Sequence, residues 1–176
     1  MQSPQLEITI CLSSIKLREK HSKIGCKITI YRGKAWQLAS GDETYDSKLY
    51  DRKPHDLTYE INESFNFILY AKDIFGWPKI IVEVFKYDKG FTSMKLVGLA
   101  SISIPYAKKT LEFEAGILSP KKDTVFGIDY YKTFKYKELF ITGQERFSLE
   151  TVSSGIIKGE MHISSSYFEE NGIEFN

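Results

Sequence analysis

Histidine and cysteine supply much of the acid–base, nucleophilic and zinc chemistry of proteins, and this chain has few of either. His21, His55 and His162 are too far apart for a helical metal pair, and Cys11 and Cys26 cannot form a Cys-x-x-Cys motif. The sequence also has no G-x-S-x-G elbow, no P-loop and no G-x-G-x-x-G motif. We therefore predict a protein that is not an enzyme and has no catalytic residues, bound metal or cofactor.

Carboxylates are the next chemistry to consider, because calcium needs several oxygen ligands converging at one loop end. The longest polar stretch, residues 40–56, contains four aspartates that lie four or five positions apart among basic residues, and the chain has no Asp-x-Asp pair. We therefore expect residues 40–56 to form a long solvated loop between strands and not a calcium site.

Pairs of lysines mark two further predicted loops. Lys108 and Lys109 lie in one, and Lys121 and Lys122 lie in the other. If the loops share a face, these lysines could contact anionic lipid, each contributing roughly 1 kcal/mol near the surface. An ordinary charged surface is the alternative interpretation of the same residues.

The composition describes a folded domain. The chain has 176 residues, is 42% hydrophobic and 14% aromatic, and has a formal net charge of +1. The near-neutral charge argues against a nucleic-acid binder, and no stretch approaches the roughly 20 apolar residues of a membrane helix. The N-terminus has no signal-peptide pattern, so we expect a cytoplasmic protein whose Cys11 and Cys26 are reduced core residues.

Apolar and polar residues alternate with a period of two along most of the segments that would position a functional site. This alternation predicts short antiparallel strands with one face in the core, because successive side chains of a strand point to opposite faces. Turn residues separate the runs, which favours a β-sandwich or barrel. The alternating apolar positions include Leu6, Ile8 and Ile10, then Ile24, Cys26, Ile28 and Ile30, then Phe65, Phe67 and Leu69, then Ile80, Val82 and Val84, and near the end Ile157, Met161 and Ile163.

The segment from Phe65 to Pro105 holds the most distinctive order of residues. Gly76 permits a turn, Trp77 is large enough to anchor the edge of a core, and Pro78 opens a strand where its missing N–H does no harm. The residues that define the pattern are Gly76, Trp77, Pro78, Asp88, Gly98, Ile104 and Pro105.

This order resembles the B9-domain family, a divergent branch of C2-like β-sandwiches. The resemblance extends to Cys26–Trp36 and to the closing strand at 152–164. The family has two short members, numbered 1 and 2, and Cys26–Trp36 is more similar to member 1. Departures occur at Gly98-Leu99-Ala100, at Tyr106–Lys109 and at Leu118-Ser119-Pro120. The resemblance implies one C2-like antiparallel β-sandwich of about eight strands over residues 1–176.

The resemblance also implies a function. It suggests a non-catalytic scaffold in a Meckel syndrome/tectonic-like complex on the cytoplasmic side of the ciliary transition zone and basal body. Such a protein would support ciliogenesis and the membrane-protein diffusion barrier. Its partners would be other B9-domain proteins and transition-zone membrane proteins, with possible contact to an anionic membrane surface and none to nucleic acid.

Association of this kind buries exposed aromatic and aliphatic residues, so aromatics near predicted turns are the first candidates for a contact surface. Trp36, Phe75 and Phe91 meet this criterion and form the candidate interaction surface, whereas Trp77 is assigned to the core. Two other functions remain open. One is a calcium-independent peripheral phospholipid-binding module, and the other is a lipocalin-like carrier, although Gly33-Lys34-Ala35-Trp36 has one residue too many for the lipocalin Gly-x-Trp pattern.

Overall fold

The structure, a computed structural model, describes residues 2–87, 94–120, 141 and 151–174. These residues confirm the predicted all-β antiparallel architecture and form ten strands, two more than expected, followed by a short 3₁₀ turn at Glu169–Asn171. The strands are β1 Gln5–Leu17, β2 Lys23–Tyr31, β3 Trp36–Ser40, β4 Thr44–Asp46, β5 Tyr50–Asp51, β6 Thr58–Ala71, β7 Lys79–Tyr87, β8 Lys95–Ser103, β9 Lys109–Pro120 and β10 Thr151–Ser166.

The strands form one curled sheet in the order β3-β6-β1-β10-β9-β8-β7-β2-β4, with β5 paired to β2. Its two halves share one apolar core, to which the inward side chains of both halves contribute. The halves join between β8 and β9, where the pairing register is limited to Leu99 and Leu118. The sheet therefore folds over on itself, and the ends of its strands gather at two opposite ends of the molecule.

The extra strands explain the difference from the predicted count. The stretch 40–56, expected to be a loop, contains β4 and β5, which both pair with β2. Tyr45 in β4 packs its ring 5.1 Å from Phe65 and 5.4 Å from Phe67, measured between ring centroids. An aromatic anchor thus holds a segment whose polar composition indicates a loop.

Strand β7 departs from simple alternation. Ile80, Val82 and Val84 face the common core as predicted, but Ile81 on the outer face is also fully buried. Ile81 packs with Leu99 and Ile141 in a second, smaller apolar cluster. Both faces of β7 are covered, which is why it contains the apolar run Ile80-Ile81-Val82 in place of strict alternation.

Candidate interaction site

Five of the distinctive residues, Gly76, Trp77, Pro78, Ile104 and Pro105, lie at one end of the sheet, which we call the motif end. It comprises the β6–β7 connection (72–78), the β8–β9 connection (104–108) and the residues that pack on them. The Trp77 indole N–H donates a hydrogen bond to the Ile104 carbonyl at 2.8 Å. The Trp77 ring also lies 4.7 Å from that of Tyr106. The Gly-Trp-Pro and Ile-Pro segments are therefore parts of one packed unit.

Trp36 also belongs to this unit and not to the surface. Its ring meets Trp77 edge-to-face at 5.0 Å and lies 6.4 Å from Phe168, and only 3% of the residue is exposed. Our expectation that Trp36 lies on an exposed surface is wrong, because Trp36 opens β3 opposite Ala71 and its side chain enters the core. Trp77 is half-buried against the same core, as expected.

Two glycines hold the β6–β7 connection against the loop after β2. The Gly33 N–H donates to the Gly76 carbonyl at 2.8 Å. A Cβ added to Gly76 would lie 2.5 Å from the Gly33 Cα, and Gly76 has a φ of +69°. Gly76 is thus required both for its left-handed backbone and for the close approach of the two chains.

Phe75 is the most exposed large apolar residue at this end. It is 76% exposed, and the adjacent Ile74 is 42% exposed. The Asp73 Oδ1 accepts a hydrogen bond from the Phe75 N–H at 3.2 Å, which fixes the backbone of the turn. The structure therefore places this candidate on the surface, on a turn whose backbone is tied down on both sides.

Lys34 and Lys72 flank Phe75 in this arrangement. Lys34 follows Gly33 directly, and the Lys72 N–H bonds to the Ala35 carbonyl at 2.9 Å, so both lysines lie on the segments that the glycines join. Both side chains are exposed, and neither forms an ion pair with another described residue. We call Ile74, Phe75, Lys34 and Lys72 together the Phe75 tip.

Other predicted positions have structural roles or lie elsewhere. A Cβ on Gly98 would lie 2.8 Å from the Leu118 carbonyl oxygen, so this glycine allows β8 to approach β9. Pro78 is buried and Pro105 is half-buried. Asp88, Phe91, Lys121 and Lys122 lie outside the described residues.

The remaining candidate lipid contacts are Lys108 and Lys109, which are both exposed. The Lys108 Nζ lies 4.0 Å from the Glu169 carboxylate. Glu170 also lines the small depression beside Lys108. Acidic side chains therefore offset part of the positive charge at this position.

Sequence reasoning missed several exposed aromatics that share the motif end. Tyr167 has a left-handed φ of +63°, and with Tyr70 it lines a shallow depression of about 290 Å³. Tyrosine is intermediate in burial among the residue types, and therefore its presence alone does not indicate exposure. The large exposed apolar side chains at this end are Tyr31, Tyr70, Ile74, Phe75, Tyr106 and Tyr167.

The chemistry available in the described ranges is limited. No group of three or more His, Cys, Asp or Glu side chains in them is arranged to hold a metal ion. Burial raises the pKa of the Cys26 thiol to about 12, which keeps it protonated, and Cys11 is half-buried next to the Ser64 hydroxyl. In the same ranges, no helix is long and apolar enough to cross a bilayer.

Comparison with known proteins identifies a family match over most of the chain. The model of the B9-C2 family, described as "Ciliary basal body-associated, B9 protein", matches residues 7–164. B9 domain-containing protein 2 of Drosophila melanogaster is 26% identical over 180 residues, covering 93% of this chain and 94% of the relative. The Danio rerio protein of the same name is 23% identical over 155 residues, covering 85% and 87%. The expected likeness to B9 domain-containing protein 1 is therefore not supported.

Two solved structures show weaker similarity. One is described as "CC2D1B coordinates ESRCT-III activity during the mitotic reformation of the nuclear envelope" and gives a TM-score of 0.46 at 11% identity, covering 92% of this chain and 55% of that one. The other, "Structure of a C2 domain", gives 0.40 at 13% identity, covering 92% and 98%. Both scores are below 0.5, and the all-β architecture is defined by the strand pairing itself.

Proposed function

The chain belongs to the B9-C2 family of ciliary basal body-associated proteins, and from this premise we propose that it is a non-catalytic scaffold of the ciliary transition zone. We place it on the cytoplasmic side of that zone, in a Meckel syndrome/tectonic-like complex. Its role there is to support ciliogenesis and the barrier that limits diffusion of membrane proteins into the cilium. Its partners are other B9-domain proteins and transition-zone membrane proteins.

The family match supports this proposal because it covers residues 7–164, which run from β1 almost to the end of β10. The observation from the structure that carries it is the motif end. Its distinctive residues build a packed, hydrogen-bonded frame, and that frame presents the exposed Phe75. Large aromatics on a rigid surface are typical of protein–protein contacts.

Calcium-independent phospholipid binding has less support from the described residues. It depends on lysines acting together, but Lys108 lies next to Glu169, and Lys121 and Lys122 lie outside the described ranges. A scaffold that also touches the ciliary membrane would be compatible with both functions.

Localisation tests the proposal directly. A tagged copy in a ciliated cell should form a focused band between the basal body and the axoneme, and should co-purify with other B9-domain proteins. Loss of the protein should shorten or remove cilia and let non-ciliary membrane proteins enter those that remain. A diffuse cytosolic or plasma-membrane signal, with no B9-domain protein recovered, would contradict the proposal.

A further inference from the structure

We propose that the Phe75 tip is the anchor of the scaffold and that it inserts into an apolar pocket with a carboxylate rim on a second B9-domain protein. This inference rests on the proposed function and adds the surface used and the chemistry of the site that receives it. It is carried by three properties of the tip, namely its exposure, its fixed backbone and its excess of positive charge among the described residues.

The first property is exposure of apolar area at one point. Phe75 and Ile74 are consecutive in sequence and both project from the β6–β7 connection, at 76% and 42% exposure. The nearby Trp77 and Trp36 side chains pack into the frame of the motif end. The exposure of Phe75 and Ile74 is therefore not caused by a poorly packed core beneath them. An exposed phenyl group next to such a frame has the form of a binding anchor, because aromatic anchors account for much of the affinity of protein interfaces.

The second property is the fixed backbone. Gly33 and Gly76 are in direct main-chain contact, and the Asp73 carboxylate holds the Phe75 N–H. A pre-formed turn loses less conformational entropy on association than a flexible loop does. A fixed anchor suits a pocket of defined shape.

The third property is charge. Lys34 and Lys72 flank the tip, and neither has an ion-pair partner in the part of the chain that the structure describes. Charge complementarity across an interface steers docking and excludes wrong partners. The two lysines outnumber the single carboxylate at the tip, that of Asp73, so the apolar anchor is best matched by an apolar pocket edged by Asp or Glu.

A protein pocket fits these observations better than a bilayer. Stable membrane attachment needs either a large apolar face or a cluster of several basic residues, and the tip has two apolar side chains and two lysines. Insertion into fluid lipid also gains little from a fixed backbone, whereas fitting a pocket depends on it. The tip therefore matches a protein partner.

Calorimetry with the purified chain tests the inference. The probes are the other B9-domain proteins of the same organism, titrated one at a time. We expect Phe75→Ala to weaken binding at least tenfold. The matched control is Ile156→Ala in β10, which removes a side chain that is 40% exposed at the opposite end of the sheet and should leave affinity unchanged.

Salt dependence tests the carboxylate rim. The affinity of the unmodified chain should fall as salt rises, and the double variant Lys34→Ala/Lys72→Ala should bind more weakly and respond less to salt. All four substituted side chains are exposed, so circular dichroism and thermal unfolding should show that the variants remain folded.

Binding to vesicles of phosphatidylcholine, with and without phosphatidylserine, tests whether the Phe75 tip contacts a membrane instead of a protein. Equal binding of a B9-domain protein by Phe75→Ala and the unmodified chain would overturn the inference, as would salt-independent affinity. Loss of vesicle binding by Phe75→Ala with unchanged protein binding would also overturn it and would assign the tip to lipid. In all these cases the localisation experiment judges the scaffold function separately.

Discussion

The Trp77 indole N–H and the Ile104 carbonyl are joined by a 2.8 Å hydrogen bond that ties the β6–β7 connection to the β8–β9 connection. Trp36 packs on the same indole at 5.0 Å, but its own indole nitrogen is buried and has no hydrogen-bond partner among the described residues. The two tryptophans therefore lie in one aromatic cluster, but only the Trp77 indole N–H has a hydrogen-bond partner among the described residues. Comparing substitutions at the two positions isolates the contribution of that hydrogen bond.

Substitution of each tryptophan by phenylalanine should separate these roles. Trp77→Phe leaves the Ile104 carbonyl without its donor, so we expect a loss of about 2–3 kcal/mol in the free energy of unfolding. Trp36→Phe removes a buried N–H that had no partner, and should cost about 1 kcal/mol, mostly for the smaller ring. Urea denaturation measures both. A greater loss for Trp36→Phe would contradict the ranking.

The close approach of Gly33 and Gly76 predicts a steric effect at both positions. Gly76→Ala should destabilise the fold by about 3 kcal/mol or more, because it adds backbone strain to a clash with Gly33. Gly33→Ala carries the clash without a left-handed φ, since its Cβ would lie 2.7 Å from the Gly76 Cα, and should cost less. Thermal unfolding compares the two.

Gly116→Ala is the control for the glycine series. A Cβ added there has nothing within 4 Å, so its stability should stay within about 0.5 kcal/mol of the unmodified chain. Equal melting temperatures for Gly76→Ala and Gly116→Ala would show that the backbone contact is not needed.

Trp36 and Phe75, two of the three aromatics first expected at the surface, should behave in opposite ways. Trp36→Ala empties a core site and should cost about 3–5 kcal/mol. Phe75→Ala removes a side chain that is 76% exposed and should change stability by less than about 0.5 kcal/mol. Chemical denaturation reads both values, and a marked loss for Phe75→Ala would mean that its ring supports the fold.

Cys26 should make stability depend on pH in the alkaline range. Burial raises the pKa of its thiol from 9.0 to about 12. Below pH 9 the thiol is protonated in both states and contributes no pH dependence. Between pH 9 and 12 the unfolded chain loses this proton while the folded chain keeps it, so the free energy of unfolding falls as pH rises, by up to about 1.4 kcal/mol per pH unit.

Cys26→Ala is the matched variant, because it removes this titration and leaves every tyrosine and lysine in place. The difference in unfolding free energy between the unmodified chain and Cys26→Ala should be constant below pH 9 and should change above it. Parallel profiles from pH 8 to pH 11 would mean that the thiol titrates alike in both states.

Much of the fold could be predicted from sequence because the strands that build the core are half-buried. The alternation of Leu6, Ile8 and Ile10 with polar residues indicates a strand that has one solvent-facing side, and all three apolar side chains are buried in the structure. Strand β7 could not be predicted so fully, since burial of Ile81 depends on contacts with Leu99 and Ile141 that lie far away in sequence. The short strand β4 lies in a polar stretch, and its strand conformation depends on its pairing with β2 and on the packing of Tyr45 against Phe65 and Phe67.

The candidate site was predicted only in part. The order of residues indicated that Gly76 and Trp77 belong together, but not that Gly33 is the partner of Gly76. Proximity to a turn also failed to distinguish Trp36 from Phe75, because a turn does not determine which side of the chain a ring faces. That direction depends on the pairing of Trp36 with Ala71, which is a tertiary relationship.

The position of β1 has a consequence for how the chain is made. β1 pairs with β6 on one side and with β10 on the other, and the contact between Glu7 and Ser164 spans 157 positions. On the ribosome, β1 must therefore wait for β10 to be synthesised before its second edge is covered. Sheets closed by such distant strands fold slowly and expose strand edges in the meantime. Translation speed and chaperone supply should therefore affect the yield of this protein more than that of a helical bundle of equal length.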